Sequence, residues 1–194
     1  MIPPQRPYQR SKTLERNIAM IALFAALIAA LAFVPALTLL NGVPISAQSM
    51  GIMLAGAILG PKRGALAVLL FLALVALGLP ILSGGRGGLG VFMGPTIGYL
   101  IAFPIGAFVV GWIAGRFRNP MSITAVVTGT VISGIFLVNF IGALGMWAKL
   151  DTTFTGALMM TTPFLLGDAI KAVLTGIITA AVAQARPSLI KQRA

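Results

Sequence analysis

Asn17-Ile-Ala-Met-Ile-Ala-Leu-Phe-Ala-Ala-Leu-Ile-Ala-Ala-Leu-Ala-Phe-Val-Pro-Ala-Leu-Thr-Leu39 contains no charged side chain and follows directly on Arg16. A helix needs about 20 apolar residues to cross roughly 30 Å of hydrocarbon at about 1.5 Å per residue, and this run is long enough. It is too long for the apolar core of a secretory signal, and no clear small-residue cleavage site follows it. It therefore reads as an uncleaved first transmembrane helix. Further apolar runs follow from about Ala47 to Leu59, ending at Gly60-Pro61-Lys62-Arg63, and from Gly64 to Leu79 ahead of Pro80. Others run from Val91 to Gly115 and from Ser122 to Trp147, and a sixth starts between Gly156 and Phe164 and ends near Gln184. The expected fold is all-α: a polytopic membrane protein, a bundle of six transmembrane helices spanning residues 17–185. Basic tails flank it at 1–16, with Pro3, Pro4 and Pro7 favouring mobility, and at 186–194.

Composition supports a lipid solvent. Of 194 residues, 58% are hydrophobic and 9% are charged, against roughly 25% charged in soluble domains. The net charge of +11 does not imply nucleic acid, because the positives stand at the ends of apolar runs and do not interleave with aromatic residues. Arg6, Arg10, Lys12, Arg16, Lys62, Arg63, Arg116, Arg118, Arg186, Lys191 and Arg193 all fall on one side of the alternating spans. Only Arg86 and Lys149 fall on the other, and Lys171 lies within a span. This bias predicts cytoplasmic N- and C-termini.

Chemistry is narrowly constrained. There is no Cys and no His, and the only acids are Glu15, Asp151 and Asp168. A disulfide framework, a thiolate metal site and a histidine general base are all excluded. There is no G-x-x-x-x-G-K-[ST] phosphate loop. Ser133 has no histidine to activate it, and Asp168 has no acidic partner in a span for an aspartyl protease dyad.

Asp168 and Lys171 are the most informative residues. They stand three apart inside the sixth run, on one helix face. Ionisable groups within a span are costly and commonly mark a substrate path. At the helical rise, Asp168 lies about 27 Å and Lys171 about 22 Å from Arg186 at the inner edge, which places both in the outer half. The alternative is a structural ion pair that fixes helix packing.

Between the third and fourth runs, Leu79-Pro-Ile-Leu-Ser-Gly-Gly-Arg-Gly-Gly-Leu-Gly90 contains the letters G-x-G-x-x-G. A dinucleotide fold would need a preceding strand and a following acid, and neither is present. Backbone amides in such a turn can approach a ligand closely, and Arg86 either meets a ligand carboxylate or is solvated. Gln48 and Asn139 are polar groups within apolar runs that need partners, either a ligand or a neighbouring helix. Small residues at every fourth position permit close helix contact. They form the rows Ala22/Ala26/Ala30 and Ala25/Ala29 in the first run, Gly56/Gly60/Gly64 across the second turn, and Gly111/Gly115.

Several spaced segments resemble the BioY family of biotin-transporter substrate-binding subunits. They are Val43-Pro-Ile-Ser-Ala-Gln48, Leu54-Ala-Gly-Ala-Ile-Leu-Gly-Pro-Lys-Arg-Gly-Ala65, Ala76-Leu-Gly-Leu-Pro80 with Gly84-Gly-Arg-Gly-Gly-Leu-Gly90, Gly94-Pro-Thr-Ile-Gly-Tyr99, and Pro163-Phe-Leu-Leu-Gly-Asp-Ala-Ile-Lys-Ala172. The resemblance covers about residues 17–185. It implies six transmembrane helices in a bacterial cytoplasmic membrane and high-affinity capture of biotin from the outer face as the substrate-binding (S) component of an energy-coupling-factor (ECF) importer. The implied partners are a transmembrane coupling protein, docked on the alanine ridge of the first helix, and two ATPase subunits. The chain itself would be non-catalytic and without a cofactor.

The family's intramembrane acid and lysine fall on Asp168 and Lys171, and its outer-turn glutamine falls on Gln48. Where other members have Pro-Val-Phe, this chain has Pro80-Ile-Leu82, and where many have Gly-Pro-Thr-Gly-Gly-Tyr it has Ile97. The ligand-binding set implied is Gln48, Ser83, Arg86, Tyr99, Asn139, Asp168 and Lys171, with Leu82, Val91, Tyr99 and Trp147 as apolar walls. Asp168 would accept from the ureido N–H groups and Lys171 or Arg86 would pair with the carboxylate. Two other classes remain: a self-contained proton-coupled carrier, which would drive uptake into liposomes without ATPase partners, and a non-transporting membrane scaffold, which would bind no ligand.

Overall fold

The first apolar run forms α1 (Pro7–Ala30), continued by a 3-10 turn at Leu31–Phe33. The structure is a computed structural model that describes residues 7–34, 37–38, 44–117, 122–187 and 189. Arg6, Val43, Arg118, Lys191 and Arg193 lie outside the described residues, as do the side chains of Arg10 and Lys12. α1 starts inside the segment read as a basic tail and stops short of Leu39. Val34 turns extended (φ −70°, ψ 125°) immediately before Pro35 in the sequence, because a proline disfavours the helical conformation of the residue ahead of it. Leu37–Thr38 and Pro44–Ile45 then pair as a short antiparallel ladder, Leu37 opposite Ile45.

Two short helices follow, α2 (Gln48–Leu59) and α3 (Pro61–Ala76). Gly60 joins them at φ 82°, a conformation open to glycine, and Pro61 starts α3 at the position where its missing N–H costs nothing. Their 12 and 16 residues rise about 18 and 24 Å, less than a full bilayer. The expected third span ends early because the chain turns at Gly78 (φ 103°). The expected fourth starts late: Leu89–Phe92 is a separate 3-10 turn, and Gly94-Pro95 precedes α4 (Ile97–Arg116). α5 (Ile123–Thr130) runs through a π-helical stretch, Val131–Val138, into α6 (Asn139–Lys149). A short α7 (Phe154–Met159) leads into α8 (Thr162–Ala185).

Thr13–Phe33, Ile97–Arg116, Ile123–Lys149 and Phe154–Ala185 are long and apolar enough to cross a membrane. With α2 and α3 they make the six expected helices among the described residues.

α4 is the central post. It packs against α2 and α3 on one side and against α5 and α6 on the other, while α1 lies on α2 and α3, and α8 on α5 and α2. Phe24 and Ile28 of α1, Ile52 and Ile58 of α2, Val68, Phe71 and Val75 of α3, and Leu100 of α4 form the main core. Where the backbones meet most closely, the contact residue is glycine. A Cβ on Gly56 would overlap the Ala107 backbone of α4, one on Gly64 would come within 2.7 Å of the Gly56 Cα, and one on Gly111 within 2.5 Å of the Pro61 nitrogen. The predicted small-residue row thus locks α2, α3 and α4 at one corner, whereas Gly115 faces open space.

That corner fixes one end of the bundle. Arg63 donates to Asn17 Oδ1 at 2.9 Å, bringing the middle of α1, where its uncharged run begins, to it. Lys62, Arg63, Arg116 and Arg186 at helix ends, with Arg16 inside α1, accordingly mark the end of the bundle opposite to the Gly-rich turn.

Gly56→Ala is expected to lower stability by about 1–3 kcal/mol through forced separation of α2 and α4, while Gly115→Ala stays within about 0.5 kcal/mol of wild type. Thermal unfolding in detergent measures both. Equal melting of the two variants would contradict the close approach.

Candidate ligand-binding site

Because α2 and α3 stop short, the end of the bundle that carries the Gly-rich turn is finished by irregular chain. Non-helical backbone at membrane depth persists only where protein or a water-filled cavity satisfies it, and one side chain supplies much of that satisfaction. Gln48, in the first turn of α2 and 3% exposed, donates through Nε2 to the Ile28 carbonyl of α1 at 3.1 Å and to the Ile81 carbonyl at 2.8 Å. Its Oε1 accepts from the Ser83 N–H at 2.8 Å. The turn held this way is closed by Leu82 N–H to Arg86 O at 3.0 Å and Gly85 N–H to Leu82 O at 2.9 Å. Gly84 and Gly85 take φ of 79° and 70°. Arg86 Nε donates to Ser83 O at 3.2 Å, and its side chain is exposed and without a carboxylate partner among the described residues.

Beneath this turn lies the second polar group. Asp168, 7% exposed, pairs through Oδ1 with Lys171 Nζ at 3.2 Å and accepts from Asn139 Nδ2 on Oδ2 at 3.0 Å. A charge so placed is tolerable only when paired and hydrogen-bonded. Lys171 also donates to Ser49 Oγ at 2.9 Å, which ties α8 to the first turn of α2. Asn139 opens α6 at the end of the π-helical stretch and donates to the Gly134 and Ile135 carbonyls at 3.2 and 3.0 Å. Its Oδ1 accepts from Tyr99 Oη at 3.3 Å. The Tyr99 ring fits against Gly142, where a Cβ would collide with it, and meets Phe164 edge-on at 6.0 Å.

Between these two groups is an open cavity whose empty space, counting its mouth, is about 840 Å³. Gln48, Ser83, Arg86, Tyr99, Asn139, Asp168 and Lys171 all line it, so the structure brings together all seven residues singled out in the sequence. Leu82 lines it too. Val91 and Trp147 do not: Val91 packs against the main core, and Trp147, half exposed, stacks edge-on against Phe154 at 5.8 Å. An amphipathic ring at a helix end serves a lipid–water boundary as readily as a ligand. Ser49, Thr96, Phe103, Ser133 and Phe164 also line the cavity. Thr96 and Phe164 stand in the quoted family-like segments and Ser133 drew notice only as a nucleophile, while no sequence signal marks Phe103 or Ser49, although Ser49 adjoins Gln48.

Capacity to bind differs among these groups. The donors of Gln48 and Asn139 are already occupied. Asp168 is acceptor-only with about four lone-pair sites, two of them used, and Lys171 has three donors, two of them used. Arg86 keeps its terminal guanidinium donors. The site therefore offers acceptors at depth and a cation at the mouth, with apolar walls between.

A helical membrane bundle enclosing such a cavity is a binding protein for a small, part-apolar, part-polar molecule. The model of the BioY family matches residues 7–188, and the chain belongs to that family. "Biotin transporter BioY" of Rhodobacter capsulatus is 48% identical over 189 residues, covering 93% of this chain and 100% of that protein. The protein of the same description from Rhizobium etli is 42% identical over 180 residues, covering 90% and 96%. A solved structure described as the S-component for biotin from an ECF-type ABC transporter matches with a TM-score of 0.80 and 34% identity, over 93% of this chain and 95% of that one.

Gln48→Leu removes three hydrogen bonds at about 1 kcal/mol each. A loss of about 3 kcal/mol in detergent unfolding is expected, with faster proteolysis in the 81–88 segment. Unchanged proteolysis there would show that the amide does not hold the turn.

Proposed function

We propose that this chain is the biotin-binding S-component of an ECF-type importer, loading biotin from the outer face of a bacterial cytoplasmic membrane and releasing it inward with an ATP-driven partner module. The observation that carries this reading is the division of free binding capacity across the cavity. Biotin has two ureido N–H donors and a carbonyl at one end, a thioether ring and alkyl chain between, and a carboxylate at the other. Asp168 has acceptor sites for the ureido donors, and the third proton of Lys171 suits the ureido carbonyl. Lys171 is otherwise committed to Asp168 and Ser49. Arg86, with no acidic partner among the described residues, is then the cation for the carboxylate. Gln48 and Asn139 hold the walls in place.

The basic helix ends support a cytoplasmic placement of both termini, and the chain leaves ATP hydrolysis to its partners. Burial separates the two alanine rows of α1. Ala25 is 1% exposed and Ala29 packs on the core, whereas Ala22, Ala26 and Ala30 are exposed. The latter row is the docking ridge for a transmembrane coupling protein that works with two ATPase subunits.

Calorimetric titration with biotin and with its amide tests the binding reading. Wild type should prefer the free acid, Arg86→Ala should lose that preference at a cost of about ten- to hundredfold in biotin affinity, and Lys171→Ala should weaken both ligands alike. No heat with biotin on wild type would sink the reading, and a preference that survives Arg86→Ala would remove Arg86 from the carboxylate.

Ala26→Trp tests the docking ridge. Biotin affinity should stay within about twofold, less than 0.5 kcal/mol, while co-purification with the coupling protein falls away. Intact assembly would exclude this ridge as the contact.

A further inference from the structure

The fifth apolar run changes its helical winding midway. Its buried positions come in pairs, Ala125/Val126, Gly129/Thr130, Ser133/Gly134, Val138/Asn139 and Gly142/Ala143. The pairs step by four residues except once, between Ser133/Gly134 and Val138/Asn139, where the step is five. That is one residue more than an α-helix takes to keep a face inward, and it falls within the π-helical stretch Val131–Val138. Such stretches are rare and concentrate at functional sites.

The extra residue has a consequence for the backbone. Where a helix returns from i→i+5 to i→i+4 bonding, the N–H ladder skips one carbonyl. The return here comes at Asn139, so the skipped carbonyl falls near Gly134 and Ile135. Within a membrane such a carbonyl needs another donor. The Asn139 side chain supplies it, at 3.2 Å to the Gly134 carbonyl and 3.0 Å to that of Ile135. The same Nδ2 also reaches Asp168 Oδ2 at 3.0 Å. Three acceptors thus share an amide nitrogen that has two hydrogens, and the helix joint competes with the carboxylate for them.

A ligand shifts such a balance only by interacting differently with the two arrangements. Ureido N–H donors on Asp168 draw on the charge that holds the amide, and both hydrogens then turn to the carbonyls. We infer that Val131–Val138 is a ligand-responsive joint, in which the Asn139 amide moves between Asp168 and the skipped carbonyl and so changes the angle between α5 and α6 on occupancy. This rests on the biotin reading proposed above. It adds a means by which occupancy reaches the outer surface of the bundle, where Ile132, Phe136 and Phe140 are exposed.

The chain has no Cys, so spin labels at Thr124→Cys and Leu144→Cys report on α5 and α6 alone. Both positions are exposed and neither lines the cavity. In an otherwise wild-type chain, saturating biotin should shift the label distance by about 1–2 Å, the scale of a helix adjustment. Deletion of Phe136, 67% exposed, restores a step of four and removes the skipped carbonyl without removing a buried residue. This variant should still bind biotin in calorimetry, yet hold one label distance with and without it. Asn139→Leu cuts the link by another route and should also hold one distance at saturating biotin. A wild-type distance that biotin leaves unchanged, while calorimetry shows binding, overturns the inference and leaves the biotin reading standing, whether or not either variant folds. A shift that persists in either variant also overturns it. No heat with biotin on wild type overturns both readings.

Discussion

In a hydrocarbon solvent no water is at hand to satisfy a stray peptide group, so a chain that leaves the helical state within the bilayer must bring its own hydrogen-bond partners. The half of this protein that carries the Gly-rich turn depends on that constraint. α2 and α3 are too short to span, and the Gly-rich chain that completes them is stable because the Gln48 amide joins α1, the 81–83 segment and α2 at one point. The turn that the amide holds supplies one wall of the cavity through Leu82, Ser83 and Arg86.

The second dependence is electrostatic. A carboxylate placed beneath this turn would be prohibitively unstable alone. Asp168 is held by Lys171 on its own helix and by Asn139 at the end of the π-helical stretch, with Tyr99 bonded to Asn139 in turn. Each partner comes from a different wall, from α8, α6 and α4, and Lys171 reaches on to Ser49 in α2. The network therefore sets the relative positions of four helices around the cavity as well as providing its acceptors. Glycines make the geometry reachable: Gly142 admits the Tyr99 ring, and Gly56 admits α4.

The sequence makes the number of helices plain, because lipid demands long apolar runs and charges collect at their ends. It also makes Asp168 and Lys171 plain, because two charges inside such a run are anomalous. Gln48 and Asn139 are visible as polar residues, but their partners are not. The carbonyls that Gln48 bonds lie 20 and 33 residues away, and nothing in a linear chain records that pairing. The two alanine rows of α1 are indistinguishable by spacing, and only packing buries Ala25 and leaves Ala26 free. Val91 and Trp147 were expected at the cavity because apolar residues near a site look alike in sequence. The direction they face is a tertiary property. Ser49 went unmarked because a single serine at a helix start is ordinary, and its value comes from a lysine 122 residues away.

The two tryptophans of the chain each stand near the C-terminal end of a helix, Trp112 in α4 and Trp147 in α6, at opposite ends of the bundle. Trp112 lies under the Arg116 guanidinium at 4.4 Å, and Trp147 lies against Phe154. Neither lines the cavity. Intrinsic tryptophan emission therefore reports the two membrane surfaces rather than the binding space, and ligand capture should pass almost unseen in it. Tyr99 is the fluorophore that touches the cavity, and a single tryptophan introduced at Phe103 or Phe164 would turn the protein into its own optical sensor of occupancy.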